Sequence, residues 1–374
     1  MITTLVITSL IIIASLFTYF NGSSKTKDFT FLILVFSSFA FLGAFRSSSV
    51  GNDTSAYSVL FSEVAGITDT SLLMERYEPG YLYLNKILSA ISPNPQILLI
   101  FTSVISMLGF ALFIYKYSNM VWMSTLLFFL LRYFSLSVNS IRHTFAILIC
   151  LLAYHLFNKK QHTWFIISVL CASTFHITAL SFLIIWPASY FRLKKTSLLF
   201  VAIVTVGILI YFDEFFSLLL TAFSRFAYYL GSDYLNMNTR LATIANLIIF
   251  SAILALGFLV GYHKKDNSPH SYVMPNNIHQ IPDGFLTTNI LLIGVVISAI
   301  SLKFNLLDRA AAYFTVFSII YLPNSLHYIK DKTYSRLAIL IVVLLFTSYD
   351  CVIEYYRPDW NRVYPYNFYW GSLF

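Results

Sequence analysis

Charged residues are scarce in this chain. Asp, Glu, Lys and Arg make up only 11% of its 374 residues, and 58% of the residues are hydrophobic, whereas a soluble domain carries about 25% charged residues. A chain with so few charges cannot cover its surface with groups that water solvates. We therefore predict an integral membrane protein whose solvent is lipid.

Cysteine is also rare, and the sequence holds no zinc motif. Cys150, Cys171 and Cys351 have no CxxC spacing, so we interpret them as small buried hydrophobic residues. We predict chemistry without a metal or another cofactor. The formal net charge of +8 does not indicate a nucleic-acid partner, because the basic residues are scattered between apolar runs. The apolar N-terminus lacks a cleavage site, which predicts an uncleaved first helix.

Long apolar segments replace the missing charge. A spanning helix needs about 20 mostly apolar residues, and a barrel would show short alternating segments instead. We predict an all-α transmembrane bundle of about 12 helices in a single membrane domain, 1–374. The short pair around His176 is either two spans or one broken, re-entrant helix. The segments are 2–20, 29–45, 96–115, 120–136, 140–157, 162–175, 177–191, 196–212, 241–262, 285–303, 310–329 and 336–353.

Lysine positions predict the orientation. Eleven of the 13 lysines fall in one alternating set of loops, which the positive-inside rule assigns to the cytoplasm. Both termini then face the periplasm or exterior of a bacterial inner membrane. The exterior segments are 46–95, which should contain short amphipathic helices, then 213–240 and the tail 354–374. Segment 263–283 is predicted to be cytoplasmic.

Arginines show the opposite distribution, with 9 of 11 at or near the exterior side. A guanidinium binds carboxylate or phosphate through a two-pronged fork and stays charged when partly buried. Pairing with local acids would explain single arginines, but the set favours an exterior cavity that binds an anion. The nine arginines are Arg46, Arg76, Arg132, Arg142, Arg225, Arg240, Arg309, Arg357 and Arg362.

The exterior segment 46–95 carries two predicted helices. Asn52 or Asp53 could cap a helix that begins near Thr54, which would place Asp53 and Tyr57 one turn apart. A capped surface helix with solvated charges is the alternative. Residues 77–91 read as a second helix that lies at the membrane surface or covers a cavity. Its apolar face consists of Tyr81, Leu84, Leu88 and Ile91.

Further polar groups interrupt the apolar segments. Arg142, beside Asn139 and Ser140, indicates a polar pocket, with snorkelling to the interface as the alternative. His176 is either functional or bonded to a helix carbonyl. Arg309, beside Asp308, opens a helix and suits an anion, unless the two pair with each other. The aromatic tail 360–367 suits the membrane interface or stacking on sugars.

Taken in order, these motifs resemble the EpsG branch of the O-antigen and exopolysaccharide polymerases, the Wzy type. One departure is His143, where that family typically has glutamine, so we do not assign His143 essential chemistry. The residues that carry the resemblance are Arg46, Gly51-Asn52-Asp53-Thr54, Tyr57, Glu78-Pro79-Gly80-Tyr81, Ser140-Ile141-Arg142, Phe175-His176-Ile177-Thr178-Ala179-Leu180, Arg309, Tyr313-Phe314 and Pro365-Tyr366.

The resemblance implies a membrane glycosyltransferase similar to the GT-C class. Such enzymes transfer a growing glycan from undecaprenyl diphosphate to the non-reducing end of an incoming lipid-linked repeat unit at the exterior face. The implied partners are the undecaprenyl diphosphate-linked oligosaccharide and membrane lipids, with a chain-length regulator as a further candidate. The sugars joined and the anomeric outcome do not follow from the sequence.

On this basis each candidate residue receives a predicted role. Arg142 and Arg309 would clamp the diphosphate, with Arg46 in support, because the developing charge of the leaving group needs pre-placed cations. Asp53 is the first candidate for the base that activates the acceptor hydroxyl, and His176 is the alternative base. Two further residues, Tyr57 and Glu78, would bind substrate, and Glu78 either orients sugar hydroxyls or pairs with an arginine.

Three other functions remain open from the sequence. A flippase or transporter for the same lipid-linked oligosaccharide would favour polar residues at mid-membrane and an internal repeat, neither of which is evident. An O-antigen ligase would use the same donor with lipid A core as acceptor, and physical reasoning does not separate it from a polymerase. An exterior acyltransferase would need a histidine paired with a carboxylate, which His176 leaves open.

The predicted orientation can be tested with a single cysteine placed in segment 263–283 of a cysteine-free variant. Because this segment is predicted to be cytoplasmic, an impermeant maleimide should label it only after the cells are permeabilised. A cysteine in segment 46–95 is the control and should be labelled in intact cells. Labelling of segment 263–283 from outside intact cells would show that the orientation is wrong.

Overall fold

The computed structural model describes residues 1–67, 73–74, 76–214, 216–217, 241–264, 284–357, 359–364 and 366–372. Within these ranges the regular structure is helical, apart from one isolated β-bridge between Arg46 and Phe368. The predicted all-α class is therefore confirmed. Most of segments 213–240 and 263–283 lies outside the described residues, and so do Arg225 and Arg240.

Sixteen α-helices lie within the described ranges. The chain also contains 3₁₀ helices, among them Ile177–Ile184 and Tyr369–Ser372. The α-helices of the described ranges are α1 Ile2–Tyr19, α2 Lys25–Ala44, α3 Thr54–Gly66, α4 Pro79–Ile91, α5 Gln96–Tyr117, α6 Val121–Leu130, α7 Tyr133–Asn139, α8 Ile141–Asn158, α9 His162–Ser173, α10 Ile185–Ala188, α11 Lys195–Ile210, α12 Leu241–Leu259, α13 Gly284–Ile300, α14 Leu307–Thr315, α15 Ser318–His327 and α16 Lys332–Tyr356.

Six of these helices, α1, α2, α5, α8, α12 and α16, are long and apolar enough to cross a membrane, and the bent pair α6–α7 makes up to seven. Among the described residues, α9, α13 and the segments 177–188 and 196–210 are apolar but shorter. The chain is therefore a multi-helix protein with about 6–7 candidate spans, and the count of 12 stays a prediction. The predicted break at His176 is present, because α9 ends at Ser173 and the 3₁₀ helix begins at Ile177.

The helices expose large apolar side chains that water would not solvate. Leu10 and Phe17 on α1 are 59% and 83% exposed, and Leu344 on α16 is 59% exposed. Exposed apolar surface on long charge-poor helices is the arrangement expected where lipid covers the protein.

The described chain forms two compact units. The first consists of Met1–Leu180 and Ile329–Phe374, and the second of Ser181–Val273 and Pro282–Tyr328, in each case within the described residues. An aromatic core holds the first unit together, where Phe39 stacks on Phe134 at 4.9 Å between ring centroids and Phe110 contacts Phe128 at 4.8 Å. Edge and offset ring contacts of this kind add to the free energy gained by burial.

In the second unit a tyrosine packs against the smallest residue of a neighbouring helix. A Cβ atom on Gly257 of α12 would lie 2.0 Å from the Tyr321 hydroxyl of α15, so only glycine fits there. The Tyr321 ring also contacts Tyr262 edge-on at 5.3 Å. Asn289 of α13 donates to the carbonyls of Ala188 and Phe191 at 2.8 and 2.9 Å, which fixes the chain where α10 ends.

The two helices predicted in segment 46–95 are confirmed as α3 and α4. Proline at the first position of α4 suits a helix start, because its missing N–H would have no helical partner. The predicted apolar face of α4 is buried at Tyr81 and Leu88, whereas Ile91 at its end is 70% exposed. Tyr57, Leu60 and Phe61 of α3 join the same hydrophobic cluster.

The start of α4 lies directly against the end of α9. Gly80 N–H donates to Thr174 O at 2.9 Å, and a Cβ atom at position 80 would lie 2.3 Å from Thr174 Oγ1 and 2.8 Å from Thr174 O. Glycine is therefore required at this contact, which brings the segment containing Glu78 next to the turn containing His176.

We expect Gly80→Ala to destabilise the first unit, because the added methyl group must push the Thr174 backbone away. Overpacking of this kind costs about 1–3 kcal/mol, and it should appear as a lower midpoint of thermal unfolding for the detergent-purified protein. Gly66→Ala is the matched control, since nothing lies within 4 Å of a Cβ there. Equal midpoints for the two variants would contradict the contact.

Candidate active site

Asp53 lies at the entrance to α3, as the sequence predicted. Gly51 takes a φ of +91°, which residues with a side chain rarely adopt, and this turn directs the chain into the helix. Thr54 Oγ1 closes the turn by donating to Val50 O at 2.6 Å. The Asp53 carboxylate is half-buried and makes no capping hydrogen bond to α3, so it is not committed to holding the helix end.

Asn139, the last residue of α7, connects the Asp53 turn to the polar end of α8. Its Oδ1 accepts a hydrogen bond from the Asp53 N–H at 3.2 Å. The next helix, α8, begins at Ile141, and Arg142 is its second residue. The backbone of Asp53 therefore lies beside Asn139, where the sequence predicted a polar pocket.

Arg142, in the first turn of α8, pairs with Glu78. Arg142 Nη1 lies 2.5 Å from Glu78 Oε2, and the two side chains are 23% and 17% exposed. Pairing with an arginine is one of the two roles that the sequence left open for Glu78. The Arg142 Nε is buried and has no hydrogen-bond partner among the described residues. One edge of the guanidinium is therefore held by a carboxylate while a further donor remains.

Three tyrosines surround the same guanidinium. The Arg142 guanidinium carbon lies 5.3 Å from the centroid of the Tyr77 ring and 5.9 Å from that of the Tyr81 ring, within the range of cation–π attraction. Tyr57 hydrogen-bonds Arg142, and its ring meets that of Tyr81 edge-on at 5.7 Å. Burial raises the pKa of Tyr81 well above its usual value, so its ring and hydroxyl stay neutral beside the cation.

Tyr77 and Tyr81 were not among the predicted binding residues. The sequence placed Tyr81 on the apolar face of a helix, which is correct, but that face also covers Arg142. The available signal was the four-residue spacing of the two tyrosines, one on each side of Glu78.

His176 lies in the turn after α9 and is 7% exposed. Its Nδ1 lies 2.6 Å from Thr178 Oγ1, and its ring contacts the ring of His143 at 4.9 Å between centroids. His143 is itself only 4% exposed. Sequence reasoning set His143 aside, and no local pattern links the first turn of α8 with the turn after α9.

Arg46 is fully buried directly after α2. Its Nη1 donates to Gly43 O and to Ser103 Oγ, the latter at 3.1 Å, and its Nη2 donates to Val138 O at 3.1 Å. Burial lowers the pKa of Arg46 to about 10, so the side chain remains a cation at neutral pH. These contacts brace α2 against α5 and the end of α7.

Arg309 belongs to the second unit and is exposed in the first turn of α14. The preceding Asp308 accepts hydrogen bonds from Thr243 Oγ1 at 2.8 Å and Ser301 Oγ at 2.7 Å. These hydroxyl contacts fix the start of α14 and thereby the position of Arg309 in its first turn.

The structure thus brings Tyr57, Glu78 and Arg142 into contact. In the same unit, Asp53 contacts Asn139 at the end of α7, and His176 contacts His143 in the first turn of α8. Among the residues that can be described, no group of three or more His, Cys, Asp or Glu side chains is placed to hold a metal ion. Chemically, the arrangement offers a partly buried cation, a half-buried carboxylate and a buried histidine pair.

Comparison with known families assigns the chain. The EpsG family profile matches residues 29–368, which is most of the sequence. This chain belongs to the EpsG family. No curated protein and no solved structure gives a match. Membership of the EpsG family suggests a role in exopolysaccharide synthesis.

The matched range of this EpsG protein includes every residue of the predicted site. The resemblance rested on scattered motifs, and the structure joins several of them: Gly80 contacts the Thr174 turn beside His176, and Glu78 pairs with Arg142. Arg46 differs, because its guanidinium contacts main-chain carbonyls and a serine inside the bundle.

For Arg46 we expect a measurable structural role. Arg46→Lys should lower the midpoint of thermal unfolding, because one ammonium cannot reach Gly43 O, Ser103 Oγ and Val138 O together, and an unsatisfied buried polar group costs about 1–3 kcal/mol. Arg336→Lys, at an exposed arginine of α16, is the matched control. An unchanged midpoint for Arg46→Lys would contradict this bracing role.

Proposed function

We propose that this EpsG protein is a polysaccharide polymerase. It transfers a growing glycan from undecaprenyl diphosphate to the non-reducing end of an incoming lipid-linked repeat unit. The single observation that carries the proposal is the Arg142 cation, which is held by Glu78 and surrounded by Tyr57, Tyr77 and Tyr81.

This arrangement suits a diphosphate leaving group. As the glycosidic bond to the diphosphate breaks, negative charge grows on the leaving oxygen, and a pre-positioned guanidinium stabilises that charge without reorganising. Glu78 fixes one edge of Arg142, and the side chain is 23% exposed, so a phosphate oxygen can approach the guanidinium. The tyrosine rings limit water around the cation and offer flat surfaces to a sugar.

The acceptor hydroxyl must lose a proton during transfer. Its oxygen attacks the anomeric carbon, the bond from that carbon to the diphosphate oxygen breaks, and undecaprenyl diphosphate leaves with the electron pair. We assign the proton to the Asp53 carboxylate, which is half-buried and makes no capping hydrogen bond to α3. His176 is the alternative base, oriented by Thr178 and His143. In this proposal the chemistry needs no metal.

Two other arginines support the same reaction in different ways. Arg309, exposed on the first turn of α14, is proposed as a second cation for the diphosphate. Arg46 is proposed to act from within the bundle, where it braces the segments on which Asp53 and Arg142 stand.

The proposal also includes a membrane arrangement. The site would face the periplasm of the bacterial inner membrane, in a GT-C-like bundle of about 12 spans with both termini outside. The long apolar helices would admit the polyprenyl tail laterally. The partners are then the undecaprenyl diphosphate-linked oligosaccharide, the surrounding lipids and, as a further candidate, a chain-length regulator.

The proposal predicts chain extension by the purified protein in nanodiscs supplied with its lipid-linked repeat unit. The wild-type protein should form a ladder of products. Arg142→Lys should slow extension by about 100-fold or more, because losing a donor to a developing oxyanion costs about 10²–10³ in rate and an ammonium lacks the planar fork.

Matched variants make this experiment specific. Arg336→Lys should extend chains at the wild-type rate, and Glu78→Gln should slow extension while Glu63→Gln, at an exposed position of α3, should not. Extension by Arg142→Lys at the wild-type rate would contradict the assigned role. In sealed proteoliposomes, movement of the unit across the bilayer without extension would indicate a flippase. Transfer to lipid A core would indicate a ligase.

A further inference from the structure

Arg132 occupies a strained position in the first unit. It lies at the break between α6 and α7, where the two helices are bent by 53°, and its φ is +65°. This left-handed conformation is unfavourable for a residue with a Cβ atom and persists only where surrounding contacts hold it. The side chain is 9% exposed, so the contacts that hold it lie inside the protein.

Those contacts join three separate parts of the chain. Arg132 Nη1 donates to Asp350 Oδ1 of α16 at 2.6 Å, and Nη2 donates to the Trp360 carbonyl at 3.0 Å. The guanidinium carbon also lies 5.4 Å from the centroid of the Trp360 ring. The second oxygen of Asp350 accepts a hydrogen bond from Thr4 Oγ1 at 2.8 Å, so the carboxylate is fixed from both sides.

The other end of the short helix α7 holds the same part of the tail. Asn139 Nδ2 donates to Asn361 Oδ1 at 3.2 Å, and Asn139 Oδ1 accepts the Asp53 N–H at 3.2 Å. The amide side chain therefore binds the tail with one atom and the Asp53 turn with the other.

The tail also contacts the turn before Asp53 directly. Gly51 N–H donates to Arg362 O at 3.0 Å, and Asn52 Nδ2 donates to Asp359 O at 3.2 Å. Residues 359–362 thus receive hydrogen bonds from both α7 and the turn 51–53. The Asp53 carboxylate makes no capping hydrogen bond to α3. Its position therefore depends on the backbone of the turn 51–53.

We propose that Arg132 is a positioning residue for Asp53, acting through tail residues 359–362. This inference rests on the proposed function, in which Asp53 takes the acceptor proton. Arginine is required because its planar fork donates to a carboxylate and a carbonyl at once while its face packs on an indole, and a lysine ammonium cannot make all three contacts.

Two measurements on Arg132→Lys test the proposal, one of which does not depend on activity. Hydrogen exchange measured by mass spectrometry should be about tenfold or more faster for the peptide containing residues 47–53, since Gly51 and Asp53 lose the partners that protect their amides. Exchange in α5 should remain unchanged. Arg336→Lys is the control and should match the wild-type protein in both regions.

The kinetic measurement separates positioning from binding. In Arg132→Lys, kcat for chain extension should fall by about tenfold or more while KM for the lipid-linked unit stays within about twofold, the pattern of an interaction felt in the transition state. A variant with wild-type kcat, or with unchanged exchange in residues 47–53, would overturn the proposal.

A second pair of variants guards against misfolding of Arg132→Lys. Asn361 has a φ of +67°, so Asn361→Gly keeps the backbone and removes only the acceptor for Asn139. Asn361→Asp keeps that acceptor. We expect Asn361→Gly to speed exchange in residues 47–53 and to lower kcat, and Asn361→Asp to restore both. Equal behaviour of the two variants would overturn the proposal.

The two measurements also distinguish failure of this proposal from failure of the proposed function. If the wild-type protein extends no chains but exchange responds as expected, the polymerase assignment fails and the tail contact stands. If the wild-type protein extends chains and exchange responds, but kcat does not, Arg132 is not a positioning residue for the reaction.

Discussion

A guanidinium buried among apolar helices must find its acceptors in the protein, because lipid supplies none. Three arginines of the first unit meet this constraint with different partners. Arg46 uses main-chain carbonyls and a serine, Arg132 uses a carboxylate and a carbonyl, and Arg142 uses a carboxylate and aromatic rings. Most of their partners come from distant segments, so these contacts connect segment 46–95, the α6–α7 break and the tail.

The same constraint separates bracing from binding. The Arg46 side chain is fully enclosed, and that of Arg132 is 9% exposed, whereas that of Arg142 is 23% exposed. A cation that a substrate anion is to reach needs some exposure, and a cation that fixes helices does not. Arg46 and Arg132 therefore stabilise the packing of the first unit, and Arg142 is the arginine of this unit that we propose binds the diphosphate.

Local patterns in the sequence predicted much of this arrangement. The absence of charge over long runs indicates helices in lipid. Asn52 or Asp53 as a cap predicted the start of α3 near Thr54, and the helix begins there although the Asp53 side chain makes no cap hydrogen bond. Residues 77–91 have the periodicity of a helix, and α4 follows it from Pro79 to Ile91. These features depend on neighbours within one or two turns, which a single sequence displays.

Contacts between distant segments were beyond such reasoning. His143 meets His176, Tyr81 covers Arg142, and the tail residue Asn361 binds Asn139 only after the whole unit has folded. The number of spans also did not follow from the sequence, for a physical reason. The helix α9 has the composition of a spanning segment without its length, and α6 and α7 reach that length only as a bent pair. Composition does not show where a helix breaks.

The proposed function of this EpsG protein is to join lipid-linked repeat units into a polymer. The most direct test is the surface polysaccharide of a deletion strain, separated on a gel as a lipopolysaccharide ladder or a capsule preparation. If the protein is a polymerase, the deletion strain should show single capped repeat units without a ladder. Complete loss of attached repeats, with single units accumulating on the lipid carrier, would contradict it and indicate a flippase or a ligase instead.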